Sequence, residues 1–365
     1  MLSMLLTVLL YSVLVLVFIQ VIYLFAFSSI GFSKNKVQAG SRKLPVSVVI
    51  YVKNKAFLLE EHIPIFLEQN YPNFELVLVN HASSDHSLEV IEGLMERYPN
   101  IKLVNVENKE RFWANKKYAL TLAVKASSHD CILYTELDSL PMTNQWIQST
   151  VDQFVGDKSI VMAPIQYTAK NPFLRYIDAI HQLQSFSFAN LGNPFRASKA
   201  NFAFSKDEFF RVKGYISHLD IPVGITTLFL KDAGNKKNTA VALNHDNFVC
   251  AKQKVTWATF WDRQLREAQL FQYYNFKNKF LLSVFNLSKL ALYLTLPIGL
   301  FVNWQMYGGI LLSYYLLYYL SCSKSLIKLK EQKLLYILPI LDLYYAIHLM
   351  LLFLASKFIR PKTWI

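Results

Sequence analysis

No charged side chain occurs before Lys34, and none lies between Leu290 and Ser323. Stretches so long without charge do not suit the surface of a soluble domain, so part of this chain is made for lipid. Cysteine is scarce as well. Cys131, Cys250 and Cys322 are odd in number and far apart, which excludes a disulfide framework or a Cys-based metal or redox motif and suits a reducing compartment. There is no Gly-x-x-x-x-Gly-Lys phosphate loop, no nucleic-acid-binding signature, no internal repeat and no low-complexity linker. A nucleic-acid partner therefore loses its support, and so does an ATP-driven transporter. The formal net charge of +13 points instead to anionic lipid headgroups and phosphorylated small substrates.

What is present is apolar: 53% of the residues are hydrophobic and mean hydropathy is +0.24. Leu5 to Phe27 is almost wholly apolar. It has no basic residue ahead of it and exceeds the apolar core of a secretion signal, so it reads as a retained anchor. A single helix over Leu290 to Ser323 would be roughly 50 Å long, against a ~30 Å hydrocarbon core. Two spans fit better, the first starting near Leu281 with Lys289 snorkelling, the turn falling near Gly308. A last apolar segment, Leu334 to Ser356, contains Pro339 and Asp342; it crosses the membrane, re-enters or lies at the interface. Asp342 is either a functional group or one that reaches water. Lys34, Lys36, Arg42 and Lys43 follow the first span, and Lys324, Lys328, Lys330 and Lys333 precede the last segment. The positive-inside rule puts both clusters in the cytoplasm, although four full crossings would leave Lys357, Arg360 and Lys362 outside. The expectation is a multi-pass protein of the cytoplasmic (inner) membrane: an anchor over 1–33, a cytoplasmic domain over 44–280, and two or three spans over 281–365.

Between Pro45 and Phe280 short β-branched runs alternate with helical patterns. Strands are expected over 46–52, 75–80, 101–107, 131–136 and 159–167, and helices over 58–69, 87–98, 115–126 and 145–154. Such alternation predicts an α/β fold with a mainly parallel, Rossmann-like sheet. Ligands of such sheets bind at the carboxyl ends of the strands. Those ends read YVKNK (51–55), VNHASSDHS (79–87) and TELDSLP (135–141), with Ser83, Ser84 and Asp85 also suited to cap the next helix. Glu136 and Asp138, two residues apart at a strand end, can face one hard divalent ion. Equally, they can be the acidic start of a solvated turn into Pro141. The segment WATFWDRQLREAQLFQYY carries Trp257, Phe260, Trp261, Leu265 and Leu270 on one side, for either a membrane interface or packing on the sheet.

Taken in order over residues 44 to 290, these segments resemble the family 2 glycosyltransferases of the GT-A type. The likeness runs through VSVVIYVKNKAFLLEEHIPIFLEQNYPNFELVLVNHASSD, ANKKYALTLAVKAS, LYTELDS, HLDIPVG with ITTLFL, and WDRQLREAQ. It implies a GT-A-like fold flanked by transmembrane helices. The implied activity is inverting, metal-assisted transfer of a sugar, a hexose or a relative, from a nucleotide-diphosphate donor to a lipid-linked or saccharide acceptor in polysaccharide biosynthesis. Tyr51, Asn80, His81, Lys116, Lys117 and Glu136 would then meet the nucleotide-sugar. Asp138 and Glu136 would hold Mg²⁺ or Mn²⁺, and Trp261, Gln264 and Arg266 would face the acceptor and the interface. With no carboxylate at the Gly-Asp-Asp position, Asp220, four residues before Gly224 on the same loop, is the substitute base, with Asp232 eight residues after Gly224 as the other nearby carboxylate. The pattern departs from the family where Asn80-His81 replaces paired aspartates, where Glu136 replaces Asp, at Gly224-Ile225-Thr226-Thr227 in the Gly-Asp-Asp position, and at Glu267-Ala268 in the Arg-Trp position. These departures carry the alternative: an impaired relative acting as a binding or scaffold subunit beside a partner transferase.

Overall fold

The computed structural model describes residues 2–33, 43–107, 115–253 and 255–359. Lys34, Lys36, Arg42, Arg360 and Lys362 of the basic clusters lie outside them. The chain opens with helix α1 (Leu2–Phe32). An alternating series follows: β1 (Val46–Val52), α2 (Ala56–Leu67), β2 (Phe74–His81), α3 (Ser87–Arg97), β3 (Ile101–Val106), α4 (Lys116–Ala126) and β4 (Cys131–Glu136). Shorter elements come next: β5 (Ser139–Pro141), α5 (Trp146–Val151), β6 (Ile160–Met162), β7 (Ile165–Tyr167), α6 (Pro172–Asn190), β8 (Phe202–Ser205) and α7 (Lys206–Arg211). The rest comprises α8 (Ile225–Ala233), β9 (Thr239–Val241), β10 (Val249–Ala251), α9 (Trp257–Leu270), α10 (Phe276–Val302), α11 (Trp304–Lys328) and α12 (Leu338–Phe358).

These elements form two compact units. One gathers the residues up to 33, those of 169–191 and those from 256 onward; the other holds the residues between, up to 168 and over 192–255. Its boundaries therefore differ from the expected 44–280 domain. Both α6 and α9 group with the apolar helices, because α6 packs on α1 and α12, and α9 on α12.

The second unit is built on a seven-stranded sheet in the order β3-β2-β1-β4-β8-β6-β9, with a three-stranded sheet β5-β10-β7 beside it. β3, β2, β1 and β4 are parallel, and β8 runs antiparallel between β4 and β6. Strand periodicity assigns the faces. Val46, Val48, Ile50 and Val52 share a core with Leu59, Ile63 and Phe66 of α2 and with Ile91 and Leu94 of α3. Val49 and Tyr51 point the other way, toward Leu120 of α4. The strand expected over 159–167 is two strands in different sheets. Pro164, lacking an N–H and fixed in φ, breaks the run between β6 and β7.

In the first unit, α1, α10, α11 and a segment Gln332–Phe358 ending in α12 are long and apolar enough to cross a membrane. The α10–α11 break falls at Asn303, whose side chain caps α11 through the Met306 amide, and not at Gly308, which lies inside α11. Lys289 does not snorkel, nor does Asp342 reach water. The two form a buried ion pair at 2.5 Å, and Asp342 also accepts from the hydroxyls of Tyr176, Tyr293 and Tyr314 at 2.8–3.0 Å.

Candidate functional site

The parallel register aligns Tyr51 of β1 with Glu136 of β4 and Val52 with Asn80 of β2. One edge of the sheet therefore collects the polar ends of three strands. The loops beyond it interlock. Asn54, at φ 52, accepts from the Ser84 amide, and its own amide donates to Ser83 Oγ. Asp85 accepts from the Ala56 amide with one oxygen and the Ser87 amide with the other, so it ties together the starts of α2 and α3. A left-handed residue and a doubly used carboxylate hold the loop that carries Lys55.

At this edge Tyr51 Oη lies 2.8 Å from His81 Nδ1, and the Lys116 ammonium sits 4.0 Å from the centroid of the Tyr51 ring. Burial pushes the Tyr51 hydroxyl up. The two carboxylates of the TELDS stretch have separate partners. Glu136 Oε1 pairs with Lys199 Nζ at 2.5 Å and Lys116 Nζ at 3.7 Å, while Asp138 Oδ2 accepts from Lys55 Nζ at 2.9 Å. Burial alone would raise the Glu136 carboxyl, but Lys199 and Lys116 bring it down to about 2. Burial and the neighbouring Lys199 charge bring Lys116 down to about 7. Lys199 itself is held up by Glu136 against the cost of burial. A narrow opening over this cluster is lined by Tyr51, Lys116, Thr135, Glu136, Lys199 and Ile225.

Other expected residues are placed differently. Asn80 donates to Asn105 and accepts from Ser83, so its side chain links β2 to β3 and to its own loop. Lys117 is buried and donates to the carbonyls of His218 and Ile221; burial lowers it to about 8. With Asn115, which donates to the Leu219 carbonyl, it fastens the loop that bears an exposed Asp220. In the Gly224 segment, Thr226 spends its hydroxyl on the Ala197 carbonyl, and Asp232 is bonded to His218 at 2.6 Å. In the other unit, Trp261 lies edge-on to His348 of α12, Gln264 is buried, and Arg266 pairs with Asp262 one turn back. α9 packs on α12.

Lys55 and Lys199 were missed by motif reading. Lys199 reaches the site because β8 is antiparallel to β4: the residues before β8 must lie beside the carboxyl end of β4, where Thr135 Oγ1 donates to the Ala200 carbonyl. Only the direction of β8 carries that signal. The resemblance implies a divalent ion at Asp138 and Glu136. Among the described residues no three His, Cys, Asp or Glu side chains gather as a metal site, and each carboxylate of the triplet already accepts an ammonium. This donor set does not fit the ion.

Residues 47–216 match the family model described as Glycosyl transferase family 2. Among curated proteins, Glycosyltransferase GlyG of Streptococcus pneumoniae serotype 4 is 33% identical over 64 residues, which is 18% of this chain and 21% of that protein. The chain thus spans about a fifth of that relative. Among solved structures, the mannosyltransferase PcManGT from Pyrobaculum calidifontis, in complex with GDP-Man and Mn²⁺, has a TM-score of 0.61 at 17% identity. The match covers 94% of this chain and 98% of that one.

Proposed function

Because residues 47–216 match the family 2 glycosyltransferase model, we propose that this chain binds a nucleotide-diphosphate sugar at the carboxyl ends of β1, β2 and β4 and transfers the sugar to an acceptor hydroxyl. The observation that supports this reading is one strand edge, where the register aligns Tyr51 with Glu136 and where His81 and Lys116 meet Tyr51. Tyr51, bonded to the buried His81, offers a ring face to a base, Glu136 an acceptor for ribose hydroxyls, and Lys116 a charge for phosphate. Asp220 is the carboxylate we assign to the acceptor proton, on a loop that Lys117 and Asn115 steady. Direct displacement at the anomeric carbon, with Asp220 taking the proton and the nucleoside diphosphate leaving, inverts that centre. No step is assigned to a metal.

The acceptor we favour is lipid-linked or a growing saccharide at the inner leaflet of the cytoplasmic membrane. Four helices of spanning length support the membrane, and Lys324 and Lys328 at the end of α11, with Lys330 and Lys333 between α11 and α12, support a cytoplasmic side. The test is transfer by the full chain in lipid vesicles, with a panel of nucleotide-sugars and extracted lipid-linked acceptors. Turnover that Asp220→Asn lowers by ~10²–10⁴ fits a lost base; turnover unchanged in that variant removes Asp220 from the role. A second reading, a scaffold subunit beside a partner transferase, is favoured by the Thr226 hydroxyl being committed to a backbone carbonyl where the family places a carboxylate. Donor binding without turnover, alone or with any acceptor, would select it.

A further inference from the structure

We propose that Lys55, Lys116 and Lys199 together supply the positive charge that receives a nucleoside diphosphate, so that this chain binds its donor without a divalent cation. The proposal rests on the donor reading above and names the chemistry by which that site holds phosphate. Three elements bring the ammonium groups together: the β1–α2 loop brings Lys55, the first turn of α4 brings Lys116, and the residues before β8 bring Lys199. Two carboxylates hold them in place, at 2.9 Å for Lys55–Asp138, 2.5 Å for Lys199–Glu136 and 3.7 Å for Lys116–Glu136.

The charges decide between a metal and an anion. With all three lysines protonated, three ammonium groups against two carboxylates leave the cluster one positive charge in excess. A divalent cation entering here would meet three like charges, and its oxygen ligands would first have to be freed of lysine. A diphosphate meets the opposite field. None of the three lysines is walled in: the side chains of Lys55, Lys116 and Lys199 remain 31%, 28% and 39% exposed. Each is a point charge on a flexible four-carbon stem, able to turn from carboxylate to phosphate without moving backbone. Glu136 and Asp138 then act as positioning residues, keeping the ammonium groups gathered at the edge before the donor arrives.

The experiment is titration calorimetry on the full chain in detergent, with UDP, GDP, ADP, CDP and dTDP, each in EDTA and again in excess Mn²⁺. At least one should bind in EDTA, with Mn²⁺ changing its Kd by less than about threefold. Lys199→Met and Lys55→Met should each weaken binding in EDTA by ~10-fold or more, the size of a lost charge-assisted contact, and Lys199→Arg should keep it. A thermal melt of each variant checks that it folds. Binding seen only with Mn²⁺ and abolished by Asp138→Asn overturns the inference while the donor reading stands. Binding in EDTA that is indifferent to both Met variants overturns the lysine assignment. If no nucleoside diphosphate binds under either condition, the donor reading itself fails.

Discussion

At the scale of single residues, the outcome turns on which lysine faces the strand edge and which faces the backbone. Lys116 and Lys117 are adjacent at the start of α4, and sequence gives them the same standing. One helical step separates their directions by about 100°, so only one can face the strand edge. Lys116 does; Lys117 holds two carbonyls of the Asp220 loop. Lys117→Met should therefore lower the melting temperature and kcat while leaving the Kd for a nucleoside diphosphate within about twofold. The stability cost should be about 2 kcal/mol for orphaned carbonyls and lost charge-assisted bonds. A donor Kd that rises tenfold would put Lys117 in the phosphate site. Asp178 of α6 gives a second test. Burial raises its carboxyl to about 6 although Arg263 grips it through two bonds of 2.7 and 2.8 Å. The folded state thus binds a proton more readily than the unfolded chain between the ordinary Asp value and pH 6. Asp178 therefore costs stability as pH rises through that window. Relative to Asp178→Asn, the wild type should lose up to about 3 kcal/mol from pH 4 to 6.5, read from paired denaturation curves. A parallel pair of curves would refute the shift.

Elements were far more legible than the contacts between them. β1 and β4 fall where alternation of strand and helix patterns puts them, and the mainly parallel sheet follows from that alternation. Local pattern does not show direction, and direction is what brings Lys199 to Glu136: β8 is short, buried and antiparallel, features no periodicity reports. The same gap explains the apolar helices. Gly308 looked like the turn because two glycines stand together, yet α11 runs through both, and Asn303 ends α10 by capping its successor. Gly308 and Gly309 have open space beside them, whereas Gly31 answers to close packing. A Cβ on Gly31 of α1 would lie 2.7 Å from Lys324 Cβ and 2.9 Å from the Ser325 amide of α11, where Ser325 Oγ accepts from the Gly31 amide. Backbone cannot yield as a side-chain tip can. Gly31→Leu should part α1 from α11 and cost about 1–3 kcal/mol, the range for an overpacked contact. A variant melting with the wild type would show that the two helices tolerate separation.

At the scale of the whole molecule, each of the two units has its own core, and they are held by different physics. The sheet unit buries aliphatic side chains against helices, whereas the apolar helices combine a small apolar cluster of Val13, Leu292, Leu296 and Tyr307 with a buried ion pair. Asp342 of α12 takes the Lys289 ammonium of α10 together with hydroxyls from α6, α10 and α11, so one carboxylate joins four helices. Sequence could flag the two charges as unusual but could not pair residues 53 positions apart on different apolar helices. In a buried pair the loss of one partner is worse than the loss of both, because the survivor keeps its desolvation cost without compensation. Asp342→Asn should therefore destabilise the helices by about 3–5 kcal/mol, and Lys289→Met in that background should restore a large part of the loss. Nucleoside-diphosphate affinity should hold within about twofold in both variants, since Tyr51, Lys116, Glu136 and Lys199 belong to the other core. Denaturation in detergent beside calorimetry separates the outcomes. If Asp342→Asn melts with the wild type, the ion pair is not what holds the helices; if it abolishes nucleotide binding, the donor edge depends on the membrane helices and the two cores are not independent.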